Sequence, residues 1–360
     1  MSKFKKIPTL LGWELTLKCN MNCMHCGSSA GEKRTTELTT NQALQICEQI
    51  KELKVKFVGI TGGEAIVRKD WPIIVKRLRD YGININILSN GWAITPEIIN
   101  HFKALGITTV AISIDGGIPS THDTVRRKPG SFNKCFTALR NLKAAAIPST
   151  VITTVHKGNF TELPLIRDKI YGLTQTWQIQ IAVPFGRFPK ELMLSKEQFY
   201  SLAMFIASTR KQFPRKKLVI LGAHSIGYHS HYIRNTMANP VWNGCQAGIS
   251  TMSIQSNGNI KGCLSLPDDF VEGNVLNRSL KEIWNDPQAF AYTRHVKKSD
   301  LHNACATCRY GSTCKGGCTT VCTSLTSHPH DNPYCLYQIE QDLFRQKKKT
   351  PAPLITLENK

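Results

Sequence analysis

The sequence predicts an α/β fold: a partial (β/α)6 barrel of the TIM type over residues 11–215, followed by a small cysteine-rich domain over residues 244–341. Three observations predict it. Short β-branched runs alternate six times with helix-length amphipathic segments between Leu11 and about Arg215, which argues for a parallel sheet with right-handed crossovers. Ten of the 13 cysteines fall into two tightly spaced patterns, one near the start of that alternation and one after its end. From Gly244 onward the chain is rich in Cys, Gly, Asn and Ser, with too little apolar sequence for a large core, so bound metal is expected to hold it together.

The expected strands are Trp13 to Lys18, Lys56 to Thr61, Asn84 to Ser89, Thr108 to Ile114, Ser149 to Val155 and Trp177 to Val183. The expected helices are Thr40 to Leu53, Trp71 to Tyr81, Pro96 to Leu105, Phe132 to Ala145, Leu163 to Tyr171 and Lys196 to Gln212. Gly82 and Gly106 follow the second and third helices, where a left-handed cap favours glycine, and Thr95 with Pro96 makes a helix start. Residues 1–10 read as an N-terminal extension and residues 216–243, with His224, His229 and His231, as a linker. One clear helix is expected near Leu280 to Trp284, and residues 342–360 read as a basic, flexible tail.

Composition narrows the function classes. No apolar run is long enough to span a bilayer, and no signal-peptide core follows the N-terminal lysines, so a cytoplasmic protein is expected. In that reducing compartment clustered cysteines are metal or cluster ligands more often than disulfides. The formal net charge of +21 favours an acidic partner such as a peptide, an anionic cofactor or nucleic acid. Nucleic acid is disfavoured, because no appended nucleic-acid-binding motif accompanies the charge.

In barrels of this kind chemistry gathers at the C-terminal ends of the strands. There the sequence places a triplet, Cys19, Cys23 and Cys26, spaced C-x3-C-x2-C; then Gly62, Gly63 and Glu64; then Asn90; then Ser113 and Asp115-Gly116. Three thiolates can hold three irons of a cubane and leave the fourth open to a ligand. A zinc site is the alternative, although structural zinc takes a fourth protein ligand. Downstream, Cys245, Cys263, Cys305, Cys308, Cys314, Cys318 and Cys335 follow C-x12-G-x4-C, a gap, C-x2-C-x5-C-x3-C, a further gap and a last Cys. A zinc ribbon is the alternative for the C-x2-C pair.

The triplet, with His25 where an aromatic residue often stands, resembles the radical S-adenosylmethionine (radical SAM) superfamily, and the seven downstream positions with Gly258 resemble its SPASM domain. The resemblance implies three [4Fe–4S] clusters and S-adenosylmethionine (AdoMet) chelated at the open iron of the triplet cluster. Reductive cleavage there yields a 5′-deoxyadenosyl radical. Gly62, Gly63 and Glu64 look like the family's GGE motif, whose glycines allow close approach and whose carboxylate pairs with the AdoMet ammonium. Asn90 and Ser113 look like polar groups for the ribose or the AdoMet carboxylate, and Arg126 like a carboxylate partner. Gln180 and Arg187 read as adenine or substrate contacts, or as core filling and solvent-exposed residues. Asp115-Gly116 reads either as a site group or as a turn.

By the family's interleaved ligation, Cys245, Cys263 and Cys318 hold a first auxiliary cluster, and Cys305, Cys308, Cys314 and Cys335 a second. The stretch Gln246 to Ser253 lacks the further cysteine of some relatives. The first auxiliary cluster therefore either has an open iron or recruits Cys322. Cys47 and Cys135 read as small core residues. Sulfatase maturases of this family carry an Asp directly after the G-x4-C cysteine; here Leu264 stands there, with Asp268 and Asp269 at the wrong spacing, so that activity is disfavoured.

The resemblance thus implies an oxidoreductase that oxidatively modifies a ribosomal precursor peptide, fed by a flavodoxin- or ferredoxin-type donor. Eighteen residues precede Cys19, which leaves leader recognition to a separate protein or makes it unnecessary. The alternatives are a small-molecule or tetrapyrrole side-chain oxidase or decarboxylase and, outside enzymes, a zinc or iron–sulfur scaffold.

Overall fold

The computed structural model describes residues 7–233, 236 and 242–349. Seven parallel strands stand side by side in chain order: β1 (Leu10–Thr16), β2 (Phe57–Gly62), β3 (Asn84–Ser89), β4 (Thr109–Ser113), β5 (Ser149–Val155), β6 (Thr176–Ile181) and β7 (Val219–Gly222). The helices between them are α1 (Thr40–Glu52), α2 (Trp71–Asp80), α3 (Pro96–Ala104), α4 (Pro119–Arg126), α5 (Ser131–Ala144), α6 (Leu163–Ile170) and α7 (Lys196–Gln212). Chain order equal to spatial order is what right-handed crossovers produce, and it curls the sheet into a partial barrel.

Local chemistry fixes where these helices begin and end. Thr39 and Ser195 start α1 and α7 with reciprocal boxes, each hydroxyl accepting from an N3 backbone N–H while Gln42 or Gln198 reaches back to the cap. Thr95 caps α3 in the same way without the return bond, and Gly82 and Gly106 take the left-handed conformation just past α2 and α3. Two elements depart from the sequence reading. Helix α4 lay unread between the fourth strand and the fourth predicted helix, although Pro119 at its first turn is a usable start signal. Strand β7 lies inside the stretch read as a linker; four residues alternating half-buried and buried are too short for periodicity to register, and pairing with β6 decides them.

The other edge of the sheet carries the larger correction. Beyond β1 lie β8 (Thr251–Ile254), β9 (Asn259–Lys261) and β10 (Gly273–Asn274), giving the order β10-β9-β8-β1-β2-β3-β4-β5-β6-β7. Strand β8 runs parallel to β1, from Leu10 opposite Thr251 to Trp13 opposite Ile254, and β9 folds back through a turn at Gly258. Met252, Ile254, Ile260, Ile283, Trp284 and Phe290 therefore join the barrel's own core with Leu11, Trp13 and Trp177. The cysteine-rich half does not rest on metal alone, because its apolar side chains complete a core that the barrel starts.

The C-terminal helix, Leu336–Lys349, corrects the expectation of a flexible tail from residue 342; residues 350–360 lie outside the described residues, as do 1–6 of the N-terminal extension. Its start is pinned by the buried Glu340, which accepts from Tyr200 Oη at 3.0 Å, from the His231 backbone N–H at 2.7 Å and from Ser230. Among the described residues no helix is long and apolar enough to cross a membrane.

Candidate active site

A cavity of about 620 Å³ opens at the C-terminal ends of the strands. Cys19, Cys23 and Cys26 line it together with Cys245, Cys263 and Cys318, so the two cysteine sets that the sequence separates by more than two hundred residues meet at one space. A second, smaller cavity is lined by Cys305, Cys308, Cys314 and Cys335. Among the described residues no three His, Cys, Asp or Glu side chains converge on a single-ion site. The thiols surround volumes instead of a point, which suits a multi-iron group. Burial pushes Cys19 up to about 11 and Cys318 up to about 12, so these soft donors gain a counter-charge when a metal group takes their protons.

The triplet loop is fixed from three sides. Its ends close on each other, the Cys19 N–H donating to the Gly31 carbonyl at 2.8 Å. Arg187 clasps it from beyond β6: Nε donates to the Cys23 carbonyl and Nη1 to the Ala30 carbonyl, both at 2.9 Å, while its backbone N–H reaches the Cys26 carbonyl at 3.0 Å. Neither core filling nor solvent exposure describes Arg187, and no sequence pattern signals a bond spanning 164 residues. Gln180 lines the large cavity and donates to Thr154 Oγ1 at 3.0 Å.

Gly62 and Gly63 line the cavity directly after β2, and their absent side chains let that strand's exit press against β1. A Cβ at Gly62, where φ is +143°, would fall 2.1 Å from the Thr16 carbonyl oxygen, and one at Gly63 would fall 2.4 Å from those of Leu17 and Lys18. Glu64 follows the two glycines. It does not line the cavity; it is fully buried, and Oε2 accepts from the Asn90 backbone N–H at 2.8 Å and from Ser89 Oγ at 3.1 Å. Burial pushes its carboxyl up to about 7. One oxygen of this carboxylate thus ties the exit of β2 to that of β3, while the other, Oε1, is buried without a hydrogen-bond partner among the described residues.

Asn90 and Ser113 both line the cavity, and Asn90 Nδ2 donates to Asn20 Oδ1 at 2.7 Å and to Cys19 Sγ at 3.8 Å. Arg126 also reaches the cavity wall, but its charge is already matched. It forms a close ion pair with Asp115 and donates from Nη1 to Cys23 Sγ at 3.7 Å. Asp115, fully buried, lies 2.9 Å from His25 Nε2 as well, and accepts from the Thr154 N–H at 2.8 Å. Burial alone would raise the Asp115 carboxyl; Arg126 and then His25 outweigh it and hold the group well below the usual carboxylate range. Asp115 is therefore the anchor of a buried charge network beneath the triplet and more than a turn residue, and Arg126 pairs with it while its Nε has no hydrogen-bond partner among the described residues.

Cys322 lines neither cavity; it is fully buried and its thiol donates to the Gly316 carbonyl at 3.1 Å. Cys47 and Cys135 are buried too. Leu264 is absent from the cavity lining and its Cδ1 leans over β1 at Gly12, while Asp268 pairs with Lys261 at 3.2 Å. No Asp or Glu lines the large cavity among the described residues, so an anionic ligand meets no carboxylate there.

Residues 13–165 match the model of the radical SAM superfamily, and residues 245–309 match that of an iron–sulfur cluster-binding domain, SPASM. The mycofactocin maturase MftC of Mycolicibacterium smegmatis is 30% identical over 335 residues, 91% of this chain and 81% of that protein. The chain belongs to the radical SAM superfamily. This radical SAM enzyme, with its SPASM domain, uses [4Fe–4S] clusters and AdoMet. An AdoMet-dependent heme synthase of Methanosarcina barkeri is 26% identical over 356 residues, 92% of this chain and 97% of that protein. Among solved structures, Streptococcus suis SuiB bound to the precursor peptide SuiA superposes with a TM-score of 0.73 at 16% identity, covering 91% of this chain and 75% of SuiB, which shows a shared fold.

Proposed function

We propose that this radical SAM enzyme oxidatively modifies a ribosomally made peptide in the large cavity, with AdoMet bound beside Cys19, Cys23 and Cys26. The observation that carries the reading is the meeting of that triplet with Cys245, Cys263 and Cys318 at one cavity. A substrate held in that cavity lies within reach of both hydrogen abstraction and electron removal. In this reading the triplet holds the AdoMet-cleaving cluster, Cys245, Cys263 and Cys318 the first auxiliary cluster, and Cys305, Cys308, Cys314 and Cys335 the second. With Cys322 committed to the Gly316 carbonyl, the first auxiliary cluster keeps one iron without a cysteine. When bound, a [4Fe–4S] cluster with AdoMet supplies a 5′-deoxyadenosyl radical that takes a hydrogen atom from an unactivated C–H bond.

The chain's own residues do the rest. Gly62 and Gly63 shape the floor for AdoMet, with Asn90 and Ser113 as its polar neighbours. Arg187 and the Asp115–Arg126 pair hold the triplet loop in place. Gln178, Gln180 and Thr154 offer polar partners to a peptide backbone, next to the apolar Ile152, Phe185 and Leu221. The similarity to mycofactocin maturases supports a peptide; a flavodoxin- or ferredoxin-type protein would supply electrons, and a separate leader-binding protein is an optional partner. A second reading, a tetrapyrrole carboxylate as substrate, is favoured by the AdoMet-dependent heme synthase that matches over nearly its whole length.

Anaerobic incubation with AdoMet, dithionite and a short peptide encoded beside this gene tests the choice, with and without a neighbouring leader-binding protein. The peptide is expected to lose hydrogen or a hydrogen-bearing group in step with 5′-deoxyadenosine. A tetrapyrrole polycarboxylate turned over in its place, with the peptide unchanged, would overturn the peptide reading.

A further inference from the structure

The second cavity holds a polar atom that nothing among the described residues satisfies. His229 lines it together with Cys305, Cys308, Cys314 and Cys335, and its Nε2 is buried without a hydrogen-bond partner. A buried polar nitrogen left unpaired is costly, and each such group in a native site calls for an explanation. The ring is not loose. It stacks on Tyr310 with centroids 4.1 Å apart and planes 1° from parallel, and Tyr310 meets Tyr337 edge-on at 5.0 Å. Both neighbours of His229 are tied down: Tyr228 Oη accepts from the Cys318 N–H at 3.0 Å, and Ser230 is bonded to Glu340. Burial holds the imidazole below its ordinary range, and a ring nitrogen that carries its hydrogen is a donor. A second donor already faces these thiols, since the Tyr310 backbone N–H reaches Cys308 Sγ at 3.4 Å.

Resting on the ligand assignment proposed above, we infer that His229 is a positioning residue for the second auxiliary cluster, donating from Nε2 to one of its sulfur atoms and setting its potential. Hydrogen bonds to sulfur stabilise the reduced, more negative state of such a cluster and so raise its reduction potential. His229 thereby makes this cluster a better electron acceptor without ligating it.

The test is an EPR-monitored redox titration of the reconstituted full chain with Cys19, Cys23 and Cys26 changed to Ala, so that the two auxiliary clusters alone report. His229→Phe keeps an aromatic ring over Tyr310 and removes the donor; one reduction wave is expected to move to more negative potential while the other stays. His229→Gln, which restores an N–H, is expected to bring the wave back toward its original position. If the Phe variant holds less iron, His229→Leu against His229→Gln makes the same comparison. Both waves unmoved, or both moved together, overturns the inference. A single auxiliary wave with about four irons in the unsubstituted background removes the ligand assignment itself, and the inference with it.

Discussion

With Cys19, Cys23 and Cys26 all changed to Ala, 5′-deoxyadenosine formation from AdoMet and dithionite is expected to fall at least about a thousandfold, to the level of buffer. Alanine offers no iron ligand, and each of the three thiols occupies a built position. Cys19 lies against Asn90 Nδ2, Cys23 against Arg126 Nη1, and Cys26 Sγ accepts from the Ala30 N–H at 3.4 Å. The loop itself is held through carbonyls, by Arg187 and the bond from Cys19 to Gly31, and these survive the substitution. The variant should therefore stay folded and keep its auxiliary iron, which separates loss of chemistry from loss of structure. Undiminished 5′-deoxyadenosine in this variant would contradict the assignment of the triplet.

Asp115→Ala is expected to be the most destabilising polar substitution in the barrel, by about 3–5 kcal/mol, because it strands a buried guanidinium. Arg126 is 8% exposed and has Asp115 as its ion-pair partner, while His25 loses the same carboxylate. The Thr154 N–H also loses its acceptor on the neighbouring strand. The thermal midpoint should drop by the order of 10 °C. Adding Arg126→Met, which removes the stranded charge, should recover part of the loss, a coupling that a simple cavity would not show. A midpoint within a degree of wild type, or no recovery in the double variant, would show that this network does not support the triplet.

Much of the fold was legible because helix and strand periods repeat. The limits of β3, β5 and α7 in the structure coincide with those read from the sequence, since each is long, regular and bounded by a cap or a turn residue. What was not legible is what depends on partners distant in sequence. Strand β7 is too short to carry a period, and the continuation of the sheet through β8 to β10 depends on pairing across some 240 residues, from Leu10 to Thr251. The C-terminal helix was masked by its basic residues, whose charge resembles that of a tail, while Leu336 and Ile339 are buried on its inner face.

For the site, spacing revealed the cysteine sets but not their supports. The division of the cysteines into groups of three, three and four follows from local spacing plus the family pattern, and the two cavities gather the same groups. A carboxylate after two glycines carries no sign of the groups its oxygens meet; one oxygen of Glu64 accepts from Ser89 and Asn90, and the other has no partner among the described residues. Asp115, Arg187 and His229 were underrated for a common reason. Each meets a partner far away in the chain, His25, Cys23 and Tyr310 in turn, which charge or ring alone does not reveal.

In the proposed assignment ten cysteines hold three clusters in this division and Cys322 holds none. Iron and sulfide counts after anaerobic reconstitution test it most directly. About twelve irons per chain are expected in the wild type and in Cys322→Ala, and about eight when either Cys19, Cys23 and Cys26 or Cys305, Cys308, Cys314 and Cys335 are changed to Ala. Tightly bound zinc in place of iron, or a Cys322→Ala protein that drops to about eight irons, would contradict it.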